Sequence, residues 1–72
     1  MITLNNRLKE TRLARGLTQE ELAERLGVTR QTIIAIEKAK FVPSVKLSLQ
    51  IAAALDVPID SLFWLEKDQP PV

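Results

Sequence analysis

Two short amphipathic helices hinged on one glycine constrain this chain more than any other feature. Between Thr18 and Lys38 it reads TQEELAERLGVTRQTIIAIEK. Thr18 followed by Glu21 is the spacing of a capping box, in which hydroxyl and carboxylate each satisfy a backbone donor of the first turn. Leu22, Ala23 and Leu26 then fall on one face and Glu20, Glu21 and Glu24 on the other, as in a surface helix with a single buried stripe. Gly27 stops the helix, because glycine takes the left-handed terminal conformation without steric cost. Thr29 provides a second cap two residues later, and so short a link forces the next helix, from about Arg30 to Lys38, to cross the first steeply.

The outward face of that second helix is unusual for solvent. With Ile33 at the centre of the buried side, Ile36 and Glu37 flank it, while Gln31, Ile34, Ala35 and Lys38 gather opposite. The outward set contains an amide, a cation and two apolar groups, and no acid. Gln31 can hydrogen-bond an adenine edge, Arg30 can bond guanine O6 and N7, and Ile34 or the Thr32 methyl can rest on a thymine methyl. These are the groups needed to read a duplex from its major groove.

The run GLTQEELAERLGVTRQTIIAIEK, the Pro43-Ser44 helix start and the ending LQIAAALDVPIDSLF resemble the Cro and phage-repressor (XRE-type) superfamily of helix-turn-helix transcriptional regulators, in a small stand-alone form. The resemblance runs from about Asn6 to Phe63. It implies an all-α, five-helix lambda-repressor-like DNA-binding domain. It also implies phosphate contact by Gln19 and the start of the second helix, and base reading by Arg30, Gln31, Ile34 and Ala35. Two positions depart from the superfamily's usual pattern. Ala39 stands where glycine is common, so a left-handed residue there would cost roughly 1 kcal/mol, and the loop is expected to follow another path. Thr11 replaces a larger aliphatic residue and fills less of the core.

Composition sets compatible bounds. The chain has 72 residues, 46% of them hydrophobic, with neither Cys nor His, which excludes a disulfide framework and a typical zinc site. No apolar signal core opens the sequence, and Leu47 to Leu55 is far short of the ~20 residues that span a bilayer, so no membrane partner and a cytoplasmic location are expected. Net charge is only +1, but it is unevenly placed. Arg30 to Lys46 holds four cations against one anion, and Asp56 to Asp68 one cation against four anions. One end of the molecule therefore suits phosphate, with Lys38, Lys40 and Lys46 joining Thr18, Gln19 and Thr29 as expected phosphate contacts. With no glycine-rich phosphate loop and little room for a deep pocket, the chain does not read as an enzyme and shows no cofactor or small-molecule site.

The remaining segments read as scaffold. Asn5 or Asn6 is expected to cap a first helix running to Arg15, closed by Gly16, with Leu8, Thr11 and Arg12 on one face and Leu13 opposite. Arg12 on an inward face is explained if it meets Glu37, which also points inward; the pair would tie the first helix to the third, as the resemblance implies. VKLSLQIAAAL is apolar around more than half its circumference, as a central helix requires. Asp56-Val57-Pro58 ends it, and Asp60 or Ser61 is expected to cap a last short helix through about Phe63.

MITL and FWLEK are short, branched or aromatic, and bounded by polar residues, so the termini can pair as a two-stranded antiparallel ribbon. Such a pair is marginal unless packed on something. Phe63, Trp64 and Leu65 are three consecutive large apolar groups of which a ribbon or helix can bury only some. A homodimer interface is expected through the final helix and tail, at Val57, Ile59, Leu62, Phe63, Trp64 and Leu65; the alternative is that Trp64 only covers the edge of the core. The organisation expected is one domain over residues 1–67, helix-turn-helix at 18–38, with a flexible tail at 68–72. The expected activity is sequence-specific binding of double-stranded DNA at a palindromic operator, as a repressor. The alternative is an antitoxin-like protein-interaction module that uses the FWL segment, with DNA contact secondary.

Overall fold

A computed structural model describes residues 2–67, so the tail expected at 68–72 lies outside the described residues. The order of elements is β1 (Ile2–Asn6), α1 (Leu8–Ala14), α2 (Gln19–Leu26), α3 (Arg30–Glu37), α4 (Val45–Leu55), α5 (Ile59–Leu62) and β2 (Phe63–Lys67). Leu8, Leu22, Ile33, Ile36, Ile51, Leu55 and Leu62 are fully buried and draw one core from all five helices. Burying such side chains is worth roughly 1.5–3 kcal/mol each, and this favours the packed helices over the extended chain.

Local chemistry fixes three helix starts. The Thr18 hydroxyl accepts from Glu21 N–H at 3.0 Å, and the Glu21 carboxylate accepts from Thr18 N–H at 2.9 Å, which completes the capping box. Thr29 accepts from Thr32 N–H at 3.3 Å, and Ser44 from Leu47 N–H at 3.0 Å. The other two starts differ from expectation. Arg7, not an asparagine, occupies the cap position of α1 and makes no side-chain cap; Asn6 Oδ1 instead accepts from Leu8 N–H at 3.1 Å. Helix α5 begins at Ile59 behind Pro58, earlier than Asp60 or Ser61 would allow, and the Ser61 hydroxyl donates to the Pro58 carbonyl at 2.8 Å.

One closure ends all four longer helices. In each, a left-handed residue donates back to a carbonyl three residues before it, and its successor donates to a carbonyl five before itself, a Schellman turn. The left-handed residues are Gly16, Gly27, Ala39 and Asp56. Ala39, at φ 57°, therefore takes the conformation that its side chain disfavours, and the loop does not follow the expected alternative path. Helix α1 stops at Ala14 and α3 at Glu37, each one residue short of expectation.

The termini do pair. Strands β1 and β2 run antiparallel in register Ile2 with Lys67 through Asn6 with Phe63. Side chains alternate across a strand, so Leu4 and Leu65 share one face with Ile2, while Asn5 and Trp64 share the other. Arg7 stacks over the Trp64 ring at 5.3 Å from its centroid, and Trp64 Nε1 donates to Glu66 at 3.1 Å. Leu62, assigned from sequence to a dimer interface, is fully buried in the chain's own core, because α5 turns it inward to meet the other helices. Val57, Ile59 and Phe63 pack on that core as well, Trp64 is half-buried, and Leu65 is the exposed member of the set.

Candidate nucleic-acid interface

Helix α3 is held by the core through Ile33 and Ile36, which are 0% and 1% exposed, so its opposite side must face outward. On that side Arg30, Gln31 and Lys38 are exposed, and Ile34 and Ala35 are partly exposed. Thr32 is half-buried, and its hydroxyl shares a 3.1 Å hydrogen bond with that of Thr29.

Glu37 is the only acid on α3, and its carboxylate is withdrawn from solvent. Arg12 Nε donates to Glu37 Oε2 at 2.7 Å, with side-chain exposures of 7% and 6%. A second guanidinium nitrogen donates to the Leu17 carbonyl at 2.8 Å, and Gln19 Nε2 donates to Glu37 Oε1 at 3.1 Å. The charge is thus neutralised and hydrogen-bonded, the condition under which a buried ion pair is tolerated. What remains on the outer surface of α3 carries no negative group.

Gln19 enters this network in a way that sequence spacing did not reveal. One of its amide hydrogens is engaged by Glu37, so the first residue of α2 is anchored to α3. Thr18, Gln19, Glu20 and Arg30 line a shallow depression of about 300 Å³ where the starts of α2 and α3 approach. Backbone N–H groups at a helix start attract anions, although Glu20 brings a carboxylate to the same place. Lys38, Lys40 and Lys46 are all exposed along the turn and helix start that follow α3.

Comparison with known proteins decides the family. The helix-turn-helix family model matches residues 8–62, from the start of α1 to the end of α5. The chain belongs to the XRE-type helix-turn-helix family. This XRE-type protein is 52% identical over 66 residues to an uncharacterised HTH-type transcriptional regulator of Methanocaldococcus jannaschii, covering 92% of this chain and 100% of that one. It is 46% identical over 65 residues to another from Bacillus subtilis, covering 90% of this chain and 98% of that one. Among solved structures it is similar to the restriction-modification controller protein of Aeromonas hydrophila, with TM-score 0.70 and 35% identity over 75% of this chain and 78% of that one. In this XRE-type protein α3 is the element whose outer face is left open.

Proposed function

We propose that this protein is a sequence-specific DNA-binding transcriptional repressor that occupies a palindromic operator as a homodimer. One observation carries the reading: α3 hides its only carboxylate against Arg12 and presents Gln31, Ile34, Ala35 and Lys38 outward with Arg30 on the flank. A negatively charged groove favours such a face, and the side-chain types match base edges. Arg30 and Gln31 select bases, Thr32, Ile34 and Ala35 contact thymine methyls, and Thr18, Gln19, Thr29, Lys38, Lys40 and Lys46 fix register on phosphates. Regulation arises by occupancy: bound protein blocks or helps polymerase according to operator position, and repression needs no activity beyond binding.

Two copies related by a two-fold axis would place their α3 helices ~34 Å apart, one duplex turn, over matching half-sites. The ribbon offers the surface for such pairing. Leu65 and Ile2, 67% and 61% exposed, lie on one ribbon face together with the half-buried Leu4, which is directly opposite Leu65. Exposed apolar groups of this kind are a common mark of an interface. Among the described residues no helix is long and apolar enough to cross a membrane, which agrees with a regulator acting in the cytoplasm.

Selection from a randomised duplex pool, followed by footprinting and sedimentation at controlled salt, tests this reading. The expected product is a symmetric site with half-sites about 10 base pairs apart, protected by two chains. A pool that shows no sequence enrichment overturns it.

A further inference from the structure

Asn6 joins three elements with one side chain. It is the last residue of β1, paired with Phe63, and the next N–H, that of Arg7, donates to the Leu62 carbonyl at 2.9 Å. Its Oδ1 accepts from Leu8 N–H at 3.1 Å at the start of α1. That bond orients the amide, so Nδ2 is the atom turned toward α3, where it donates to the Ile36 carbonyl at 2.9 Å, across 30 residues of sequence.

The Ile36 carbonyl is not an arbitrary acceptor. It also receives Ala39 N–H at 2.9 Å, and Lys40 N–H reaches the Ala35 carbonyl at 2.8 Å; together these two bonds form the Schellman turn that ends α3. This is the turn whose left-handed residue is alanine, at φ 57°. Among the four such turns, only at Gly16 and Gly27 does the residue lack a side chain that would resist the conformation. The α3 turn sits between Lys38, whose own N–H donates to the Ile34 carbonyl at 3.1 Å, and Lys40, so any opening of it moves Lys40 relative to Lys38 and the rest of the outward face of α3.

We propose that Asn6 is a positioning residue for the DNA-facing surface: by donating to the Ile36 carbonyl it holds the Lys38–Ala39–Lys40 turn closed and sets where Lys40 meets phosphate relative to the rest of α3. The inference rests on the DNA-binding reading above. It assigns a role in recognition to a residue outside the helix pair, at the end of β1. It also ties the base of the ribbon to the end of α3, so a partner that docks on the ribbon bears on a segment directly connected to the recognition surface.

Asn6→Asp separates this role from the cap on α1, because a carboxylate still accepts from Leu8 N–H but cannot donate to Ile36. The probe is a duplex enriched from a randomised pool by the unaltered protein. Binding is measured at a temperature where circular dichroism shows both proteins fully folded. The expected result is affinity about tenfold weaker, with Lys40→Ala costing less in the Asn6→Asp background than in the unaltered protein, because the lysine is already misplaced. Amide exchange should quicken at Ala39 and Lys40 and stay unchanged at Gly27 and Val28, which close the separate turn after α2. Unchanged affinity, or losses that simply add, overturns the role of Asn6. If Asn6→Asp does not fold, Asn6→Ser replaces it with the same expectations, since serine can accept from Leu8 N–H but is too short to reach Ile36. Failure of the unaltered protein to enrich any duplex is a different result, and it removes the DNA-binding reading itself.

Discussion

Arg12 Nε and Glu37 Oε2 meet at 2.7 Å between α1 and α3, almost closed to solvent, with Leu17 and Gln19 completing their hydrogen bonds. The pair therefore joins α1 to α3 and removes a carboxylate from the outer surface of α3. Glu37→Ala should cost roughly 3–5 kcal/mol of folding stability, because the Arg12 guanidinium is left buried without its partner. Replacing both residues by apolar groups of similar volume should cost much less. Urea unfolding of the single and double variants checks this, and equal losses in the two would contradict it.

The Thr18–Glu21 capping box gives a pH signature. Glu21 is held below the ordinary glutamate value chiefly by the Thr18 backbone N–H, then by the Thr18 hydroxyl, against an opposing effect of desolvation and with a further lowering by the Arg25 charge. A carboxyl lowered in the folded state stabilises above its unfolded value, and that stabilisation disappears as pH falls through the folded value. The stability difference between the unaltered protein and Glu21→Gln should therefore shrink on acidification. A difference independent of pH would mean that the charge contributes nothing. Thr18→Ala, which removes the other half of the box, should cost about 1 kcal/mol at neutral pH.

Ala39 offers a stabilising substitution. Ala39→Gly relieves the left-handed strain, while the added freedom of the unfolded chain offsets part of the gain, for a net increase of about 0.5–1 kcal/mol. Thermal unfolding should shift upward by a few degrees, on the order of 4 °C. A lower midpoint would show that the Ala39 methyl makes contacts worth more than the strain.

The ribbon face carrying Ile2 and Leu65 gives a prediction on association. Leu65→Glu should shift the sedimentation profile toward monomer and weaken operator binding in proportion, with little change in helix content, since Leu65 is mostly exposed. An unaltered association constant would move the interface elsewhere.

What could be read from the sequence follows the range of the interactions involved. Thr18, Thr29 and Ser44 act on an N–H three residues away, so their helix starts were legible; Arg7 was not, because a distant bond, Arg7 N–H to Leu62, joins that boundary to the end of α5, and the Pro58 start carries no side-chain cap to mark it. Gly27 announces its turn, whereas Ala39 takes the same turn without the residue that would signal it. Helical periodicity placed Ile33 and Ile36 inside and Gln31 and Lys38 outside, since one side of α3 must meet the core. Leu62 was misread because a four-residue helix is too short for periodicity to show its inward side. Nothing in the spacing of Asn6, Gln19, Ile36 and Glu37 shows that they meet, because those contacts exist only after the helices have packed.

The most direct measurement compares Gln31→Ala and Lys40→Ala in the same randomised-duplex selection. If the outward face of α3 reads bases, Gln31→Ala loses about 1–3 kcal/mol of discrimination centred on one base pair of each half-site. Lys40→Ala then weakens binding to all sequences alike and lowers its dependence on salt. A Gln31→Ala protein that selects the same sequences with the same preference as the unaltered chain would contradict the assignment of this face to DNA.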